Sequence, residues 1–484
     1  MNVRWSLVIL LFWVSGVSAQ FVRVDTNSQK QIEKFIQGQK SKNRIVGLSV
    51  GIIREGEVAY LNGFGWQDSS NSVAATENTM YRLASVSKSV TGLIAMRLME
   101  QQRIDLNDDI RKHVPEYPAK KEGTITLEHL LSNESGVIHY SGTSSGQYCS
   151  SSYSKAARDS YITKYTSYYD PIRTIDIFKR QPICFEPGYH YQYTTWGFCL
   201  AGAVIERAAK DSFEQLLLDE IVCPLKLPNL QIEFQTGRPY PNESAGYEID
   251  NGIIRTTPTS YTDYKDVSYK TPGGGLIGSV VDLTLLMQGV VNRELLADST
   301  VKYFGTQHVA GDGKKTYYGY GTSTGSRNGD SLFWHSGSQA KTATIIYYSP
   351  ENKNGVAIMA NTYGVSLFPL ARLIYDYLPQ VKLEGKAYVN TTQNTSCNPT
   401  SRSKKGIVEP GIFPNPTTGK LRIGINSNEV LSLVSVYNAY GALCTTYSNV
   451  HNQFEITIPG TPGVYFIRFE TAEGSSELRR VIKY

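Results

Sequence analysis

Apolar residues follow two rhythms along this chain, and the switches between them mark its parts. Residues 29–44 carry apolar positions at helical spacing on a polar background, which predicts an amphipathic helix. The stretch "IVGLSVGIIREGEVAYLNGFGWQD" follows, two apolar runs split by Arg54-Glu55-Gly56, and predicts a hairpin. At Val86, Val90, Leu93, Ile94 and Met96 the spacing turns helical, so Ser85 falls at a strand-to-helix junction among the first residues of a helix. A further helix is expected over 197–222. Strands are expected around Tyr317, around Leu332, over 342–348 and over 355–361, with a closing helix near 366–378. Residues 139–170 are rich in Ser, Tyr and Gly with little pattern and read as an insertion. Helices interleaved with antiparallel strands predict an α/β (α+β) domain.

The rhythm breaks again at 386–410, "KAYVNTTQNTSCNPTSRSKKGIVEP", whose polar composition suits a linker. Beyond it, Leu421/Ile423/Ile425, Phe454/Ile456/Ile458 and Val464/Phe466 alternate between turn signals, predicting a small all-β sandwich. At the other end, Arg4, the apolar run Leu7–Val14 and the small residues Val17-Ser18-Ala19 form a signal-peptide pattern. The expected organisation is therefore a signal peptide at 1–19, a main domain at 20–385, a linker at 386–410 and a C-terminal domain at 411–484. The N-terminal run is too short to span a bilayer comfortably, so no stable membrane insertion is expected.

Composition narrows the picture a little. The 484 residues are 19% charged with a net charge of +5, and "SRSKKG" at 401–406 is the densest basic cluster, so no nucleic-acid partner is expected. Export places Cys149, Cys184, Cys199, Cys223, Cys397 and Cys444 in an oxidising setting. Their spacing lacks paired C-x-x-C and no His cluster accompanies them, which argues against zinc. A Cys149–Cys184 bridge across the polar insertion is one expectation; free buried thiols at Cys199 and Cys223 are another. Oligomeric state is not legible.

The candidate chemistry starts at "YRLASVSKSV". A serine hydroxyl becomes nucleophilic when a base takes its proton, and a lysine three residues along a helix brings its amine within reach. Burial lowers a lysine pKa enough to make the neutral amine useful. S-x-x-K also occurs at Ser152/Lys155, Ser299/Lys302, Ser338/Lys341 and Ser401/Lys404, but only Ser85/Lys88 opens an apolar helix. Possible partners are Tyr193, before an apolar helix in "FEPGYHYQYTTWGFCLAG", and His335, beginning or preceding a strand in "FWHSGSQAKTATII". The "GTSSG" around Ser144 fits G-x-S-x-G but lacks the buried strand that elbow needs. The "GGG" at 273–275 is followed by no Lys-Ser/Thr and suggests close backbone packing beside a cleft rather than phosphate binding.

Taken in order, these segments with "ITLEHLLSNESGV" and "GGGLIGSVVDL" resemble the serine β-lactamase-like, penicillin-recognising superfamily over residues 30–380. Within it they are most similar to the mitochondrial β-lactamase-like peptidase branch. The resemblance implies an α/β/α sandwich with an antiparallel sheet and a helical subdomain. It makes Ser85 the acylated nucleophile, with Lys88 and Tyr193 sharing proton transfers and His335 orienting substrate or tyrosine. The N–H groups of Ser85 and Ser338 form the oxyanion hole, Thr195 and Gly337 contact substrate, and neither metal nor other cofactor is required. Three departures stand out: Thr195 replaces the asparagine of Tyr-x-Asn, His335 replaces lysine, and Asn133 stands where many relatives have histidine. They favour small peptide, amide or ester substrates, D-aminopeptidase-like ones first, over β-lactams. A carboxylesterase or β-lactamase activity, or a non-catalytic surface-binding or filament-forming scaffold, remain alternatives. Specificity is expected from the 139–176 and 235–270 loops, with Tyr261, Tyr264 and Tyr269 as possible lining.

Residues 411–484, with "IFPNPTTGKLRIGI", "VYNAYGALC" and "PGVYFIRFETAEGSSELRRVIKY", resemble the type IX secretion C-terminal sorting domain. That implies the type IX machinery as partner and secretion across the outer membrane of a Gram-negative bacterium, to the medium or the cell surface.

Overall fold

The structure is a computed structural model that describes residues 21–139, 174–233, 242–257 and 267–390, with Tyr240, Cys397 and most of 411–483. The Ser144 motif, Cys149, Ser152, Lys155, Tyr261, Tyr264 and the Ser401/Lys404 pair lie outside the described residues. The chain divides into two compact units, residues 1–392 and 393–484.

In the first unit the predicted hairpin becomes the strands Gly47–Arg54 and Glu57–Asp68. They sit in an antiparallel eight-stranded sheet whose order runs Phe21–Val22, Glu57–Asp68, Gly47–Arg54, Gly355–Ala360, Thr342–Tyr348, Asp330–Gln339 and Ser323–Arg327. The short strand Val73–Ala74 pairs off this path, along Glu57–Asp68. Alternation explains how both faces are covered. Leu48, Val50 and Ile52 face a core shared with Ile32 and Ile36 of the helix Thr26–Lys42 and Leu370, Ala371 and Ile374 of the helix Phe368–Tyr377. On the opposite face Gly51 leaves room for the helix Val280–Val291, since a Cβ there would lie 1.9 Å from Thr284 Oγ1. The result is the β-lactamase/transpeptidase-like α/β/α arrangement.

Three expected elements differ. The strand near Tyr317 is instead Ser323–Arg327; Tyr317 itself is exposed, with φ of 53° in the left-handed region. The helix at 197–222 ends at Ala209, because Lys210 takes φ of 57° and reverses the chain before Phe213–Leu217. His335 lies inside the strand Asp330–Gln339 rather than at its start.

One connection positions Ser85. Residues 80–82 pair with Leu276–Ser279 rather than joining the main sheet, and then lead straight to Ser85. Arg82 makes a buried ion pair with Glu233 (Nη2 to Oε1 2.6 Å, Nε to Oε2 2.8 Å). The Arg82 and Leu83 carbonyls accept from Thr342 Oγ1 (3.0 Å) and Thr344 Oγ1 (2.7 Å) on the central strand. Cys184, Cys223 and Cys397 are disulfide-bonded, which rules out a free thiol at Cys223, whereas Cys199 is free and buried.

The second unit is a small all-β region. A three-stranded sheet (Gly411–Phe413, Lys420–Gly424, Gln453–Thr457) and a four-stranded one (Leu443–His451, Val430–Asn438, Gly463–Thr471, Ser476–Lys483) share a core of Leu421, Ile423, Ile456, Val434, Val436 and Ile467. Along Gly463–Thr471 the inward phase is Tyr465, Ile467 and Phe469, one residue off the expected Val464/Phe466 phase. Both phases are apolar at first sight; Arg468, which is exposed, settles the matter.

Replacing Arg82 by Met leaves the Glu233 carboxylate buried without its cation, and urea unfolding is expected to show a loss of about 3–5 kcal/mol. The double variant Arg82→Met/Glu233→Leu should recover most of it.

Candidate active site

Ser85 is the middle residue of a single 3₁₀ turn, Ala84–Val86, that precedes the α-helix Ser87–Glu100. It is thus a turn earlier than the helix proper. Ala84 before it has φ of 48°, a left-handed conformation that a non-glycine residue adopts only under constraint. The Thr342 and Thr344 hydroxyls described above supply that constraint. From Thr79 to Met96 every residue is buried except Ser85, so the chain offers one partly open position on an otherwise dry element.

Lys88, one turn on, is completely buried and no carboxylate pairs with it among the described residues. Its Nζ lies 2.6 Å from Gly273 O, 3.1 Å from Thr195 Oγ1 and 3.3 Å from Ser85 Oγ. Burial brings its pKa down to about 7, with the Lys270 ammonium pushing the same way and Cys199 opposing. A neutral amine has two protons and one lone pair. With the protons directed to Gly273 O and Thr195 Oγ1, the lone pair faces Ser85 Oγ. The glycine triplet makes this possible: a Cβ on Gly273 would lie 2.6 Å from Thr195 Cγ2, so no larger residue fits between the two helical segments.

Tyr193 reaches Ser85 from the other side. It precedes the helix Thr195–Ala209, whose N-cap Thr194 accepts from Gly197 N, and its hydroxyl hydrogen-bonds Ser85. Lys88 Nζ is 4.7 Å from its ring centroid. Burial raises the Tyr193 pKa well above the phenol's ordinary value, so this group stays protonated at neutral pH.

His335 points to a different neighbour than expected. Its Nδ1 donates to Ser336 O (2.8 Å), and its Nε2 accepts from Tyr318 OH (3.0 Å). Burial and the nearby Lys88 charge lower its pKa to about 3, so the imidazole is neutral. Its ring lies 6.1 Å from that of Tyr193. Gly337, two residues along, packs directly on the Ser85 turn: a Cβ there would lie 2.5 Å from Leu83 O and 3.0 Å from Ala84 Cβ. The strand thereby carries Ser338 past Ser85, with the Ser338 side chain exposed. Asn133, buried with φ of 62°, accepts from Thr194 N (2.9 Å) and fixes the start of the tyrosine's helix.

Sequence reasoning missed three residues here. His139 accepts from Thr195 N through Nδ1 (3.0 Å), and burial lowers its pKa to about 3. With only seven histidines in the chain it had a faint signal. Tyr318 had none, being one of 33 tyrosines. Lys270 sits in "SYKTPGGG", where attention fell on the glycines.

A strand pinned to a helix turn, a buried lysine on a serine and a tyrosine across from it define a class of serine acyl-transfer folds. The chain belongs to the beta-lactamase family, whose model matches residues 32–378. Residues 411–483 match the secretion system C-terminal sorting domain, which indicates type IX secretion and export. Protein flp of Staphylococcus aureus (strain N315) is 26% identical over 342 residues, covering 70% of this chain and 64% of that protein's length. The mitochondrial serine beta-lactamase-like protein LACTB of Homo sapiens is 25% identical over 292 residues, covering 49% of this chain and 52% of LACTB. The D-amino acid amidase of Ochrobactrum anthropi SV3 shares the fold, with a TM-score of 0.57 at 17% identity, over 73% of this chain and 98% of that one. Among the described residues no helix is long and apolar enough to cross a membrane.

The Gly337 contact yields a stability prediction. Gly337→Ala forces a methyl against Leu83 O and Thr344 Oγ1 and should cost about 1–3 kcal/mol in urea unfolding. Ser336→Ala next to it, exposed, should cost a few tenths at most.

Proposed function

We propose that this chain is an exported serine hydrolase that works through an acyl-enzyme on Ser85, acting on small peptide, amide or ester substrates. The observation that carries this reading is the buried Lys88 amine, 3.3 Å from Ser85 Oγ with its other two directions occupied. Lys88 takes the Ser85 proton as Oγ attacks the substrate carbonyl. The Ser85 and Ser338 N–H groups hold the resulting oxyanion. Tyr193, a protonated phenol beside Ser85, hands a proton to the leaving group and is reprotonated from Lys88. Water then attacks the acyl-enzyme, its proton passing to Lys88 and from there to Ser85 Oγ as the acyl–Oγ bond breaks and the carboxylic acid product leaves. The division of labour follows from the two pKa shifts: Lys88 moves down to about 7, whereas Tyr193 moves up.

The neutral His335 supports amides and esters over β-lactams, because a substrate carboxylate meets no charge at that position. The amidase of similar fold supports an amide first, D-configured substrates included. The N-terminal leader and the C-terminal sorting domain support passage across both membranes of a Gram-negative cell, with the catalytic unit acting outside.

Intact mass after incubation with a fluorophosphonate tests the nucleophile: one adduct is expected on the wild type and none on Ser85→Ala. Equal labelling of both would move the nucleophile elsewhere. The pH dependence follows from Lys88. The unprotonated amine is the active form, so kcat/KM for a neutral ester should fall about tenfold per pH unit below about 7 and level off above it. A profile flat from pH 5 to 8 would remove Lys88 as base.

A further inference from the structure

The ring of His335 has both nitrogens engaged inside the protein. A carbonyl oxygen only accepts, so the 2.8 Å contact with Ser336 O places the ring proton on Nδ1. Nε2 is left as the acceptor for the Tyr318 hydroxyl at 3.0 Å. His335 is 4% exposed, and burial brings its pKa down to about 3, which matches a ring with one proton. No lone pair or N–H of this ring remains for Ser85, Tyr193 or a substrate.

Tyr318, the group that completes this arrangement, is buried and firmly mounted. The exposed Tyr317 before it has φ of 53°, a left-handed turn that a non-glycine residue keeps only where its surroundings over-determine it. Thr316 Oγ1 donates to Tyr318 O (3.0 Å), and Thr324 N donates to Tyr317 O (3.0 Å). Further along, Gly321 O accepts from Ser89 Oγ (2.7 Å), the residue after Lys88 on the helix Ser87–Glu100. The Tyr318 ring meets that of Tyr193 edge on (6.3 Å, 85°) and that of His335 likewise (5.8 Å, 83°). With His335 and Tyr193 6.1 Å apart, the three rings close a triangle beside Ser85.

We propose that Tyr318 is a positioning residue for Tyr193: by donating to His335 Nε2 it occupies an acceptor that would otherwise compete with Ser85 for the Tyr193 hydroxyl. The inference rests on the Ser85/Tyr193 reading above and adds a residue that acts through its neighbours without touching substrate. A buried ring nitrogen without a donor is costly, so it draws on whatever donor its surroundings offer. Tyr193 is such a donor, a phenol kept protonated by burial with its ring against the imidazole. With Tyr318 in place the demand is met from the other side, and the Tyr193 hydroxyl stays on Ser85.

The test compares leaving groups. Tyr193 protonates the leaving group in the mechanism above, so a substrate that needs that proton reports on where the phenol points. Values of kcat/KM are measured in the full chain for p-nitrophenyl butyrate, whose leaving group departs as a stable phenolate, and methyl butyrate, whose alkoxide needs a proton. Tyr318→Phe keeps the ring and removes only the hydroxyl. It should slow the methyl ester about three- to tenfold more than the p-nitrophenyl ester. In Tyr318→Phe/His335→Leu neither donor nor acceptor is left, and the wild-type ratio of the two rates should return. An equal loss on both esters means that Tyr318 only supports the fold, and it overturns the proposal, as does a double variant that keeps the altered ratio.

A second measurement does not depend on catalysis. The tautomer of His335 is read by 15N NMR of the ring nitrogens, assigned from His335→Leu. Wild type should hold one tautomer, Nδ1–H, and Tyr318→Phe a mixture of both. A wild-type ring protonated at Nε2 overturns the proposal without any Tyr318 variant. A ring that stays wholly Nδ1–H in Tyr318→Phe overturns it too, since Ser336 O alone would then fix the tautomer. If wild type hydrolyses neither ester while the tautomers change as expected, the acyl-enzyme reading fails and the Tyr318–His335 lock stands.

Discussion

The burial of one amine, Lys88, without a counter-ion among the described residues organises this protein. An unpaired lysine in a dry interior is costly as a cation, and a protein carrying one must either solvate it or let it shed its proton. Here Gly273 O and Thr195 Oγ1 take two of its directions and Ser85 Oγ the third. Each of those atoms makes its own demand. Gly273 must lack a side chain so that two helical segments close on the lysine, and Thr195 must open a helix, which Thr194 caps and His139 and Asn133 steady. Ser85 must sit on a turn strained at Ala84. The surrounding sheet is then less a core in its own right than the rigid body against which this strain is held.

Much of the site was legible in the sequence because its parts carry local signatures. The switch to helical spacing at Val86 located Ser85 and Lys88, and the apolar helix after Tyr193-Thr194-Thr195 located the tyrosine. Asn133 and the glycine triplet stood out for their residue types. What stayed hidden depends on tertiary geometry. Whether His335 meets Tyr193 or Tyr318 is a matter of which side chain lies 3.0 Å away, and no spacing encodes that. Lys270 is a lysine in a loop by sequence and a buried lysine only in the folded chain.

The fold shows the same division. Strands that read as apolar runs split by a turn signal, such as Gly47–Arg54 and Glu57–Asp68, followed from their pattern. Tyr317 failed because its apolar neighbours mimic a strand while its own φ is left-handed. The helix over 197–222 was read through Lys210, whose reversal has no proline or glycine to announce it. In the sorting domain, Val464/Phe466 and Tyr465/Ile467/Phe469 are two apolar phases of one strand. There the exposed Arg468, in phase with Val464 and Phe466, marks the outward face.

The carbonyls of Arg82 and Leu83 are tied to the central sheet by the hydroxyls of Thr342 and Thr344, not by a strand-to-strand ladder. A ladder is fixed by topology and is blind to side-chain identity. Two hydroxyls are written in two codons. The stiffness with which Ser85 is mounted is therefore open to inheritance one substitution at a time, independently of the fold and of Ser85 and Lys88 themselves. Relatives that retain the serine and lysine yet differ at these two threonines would share that pair and differ in how firmly it is held.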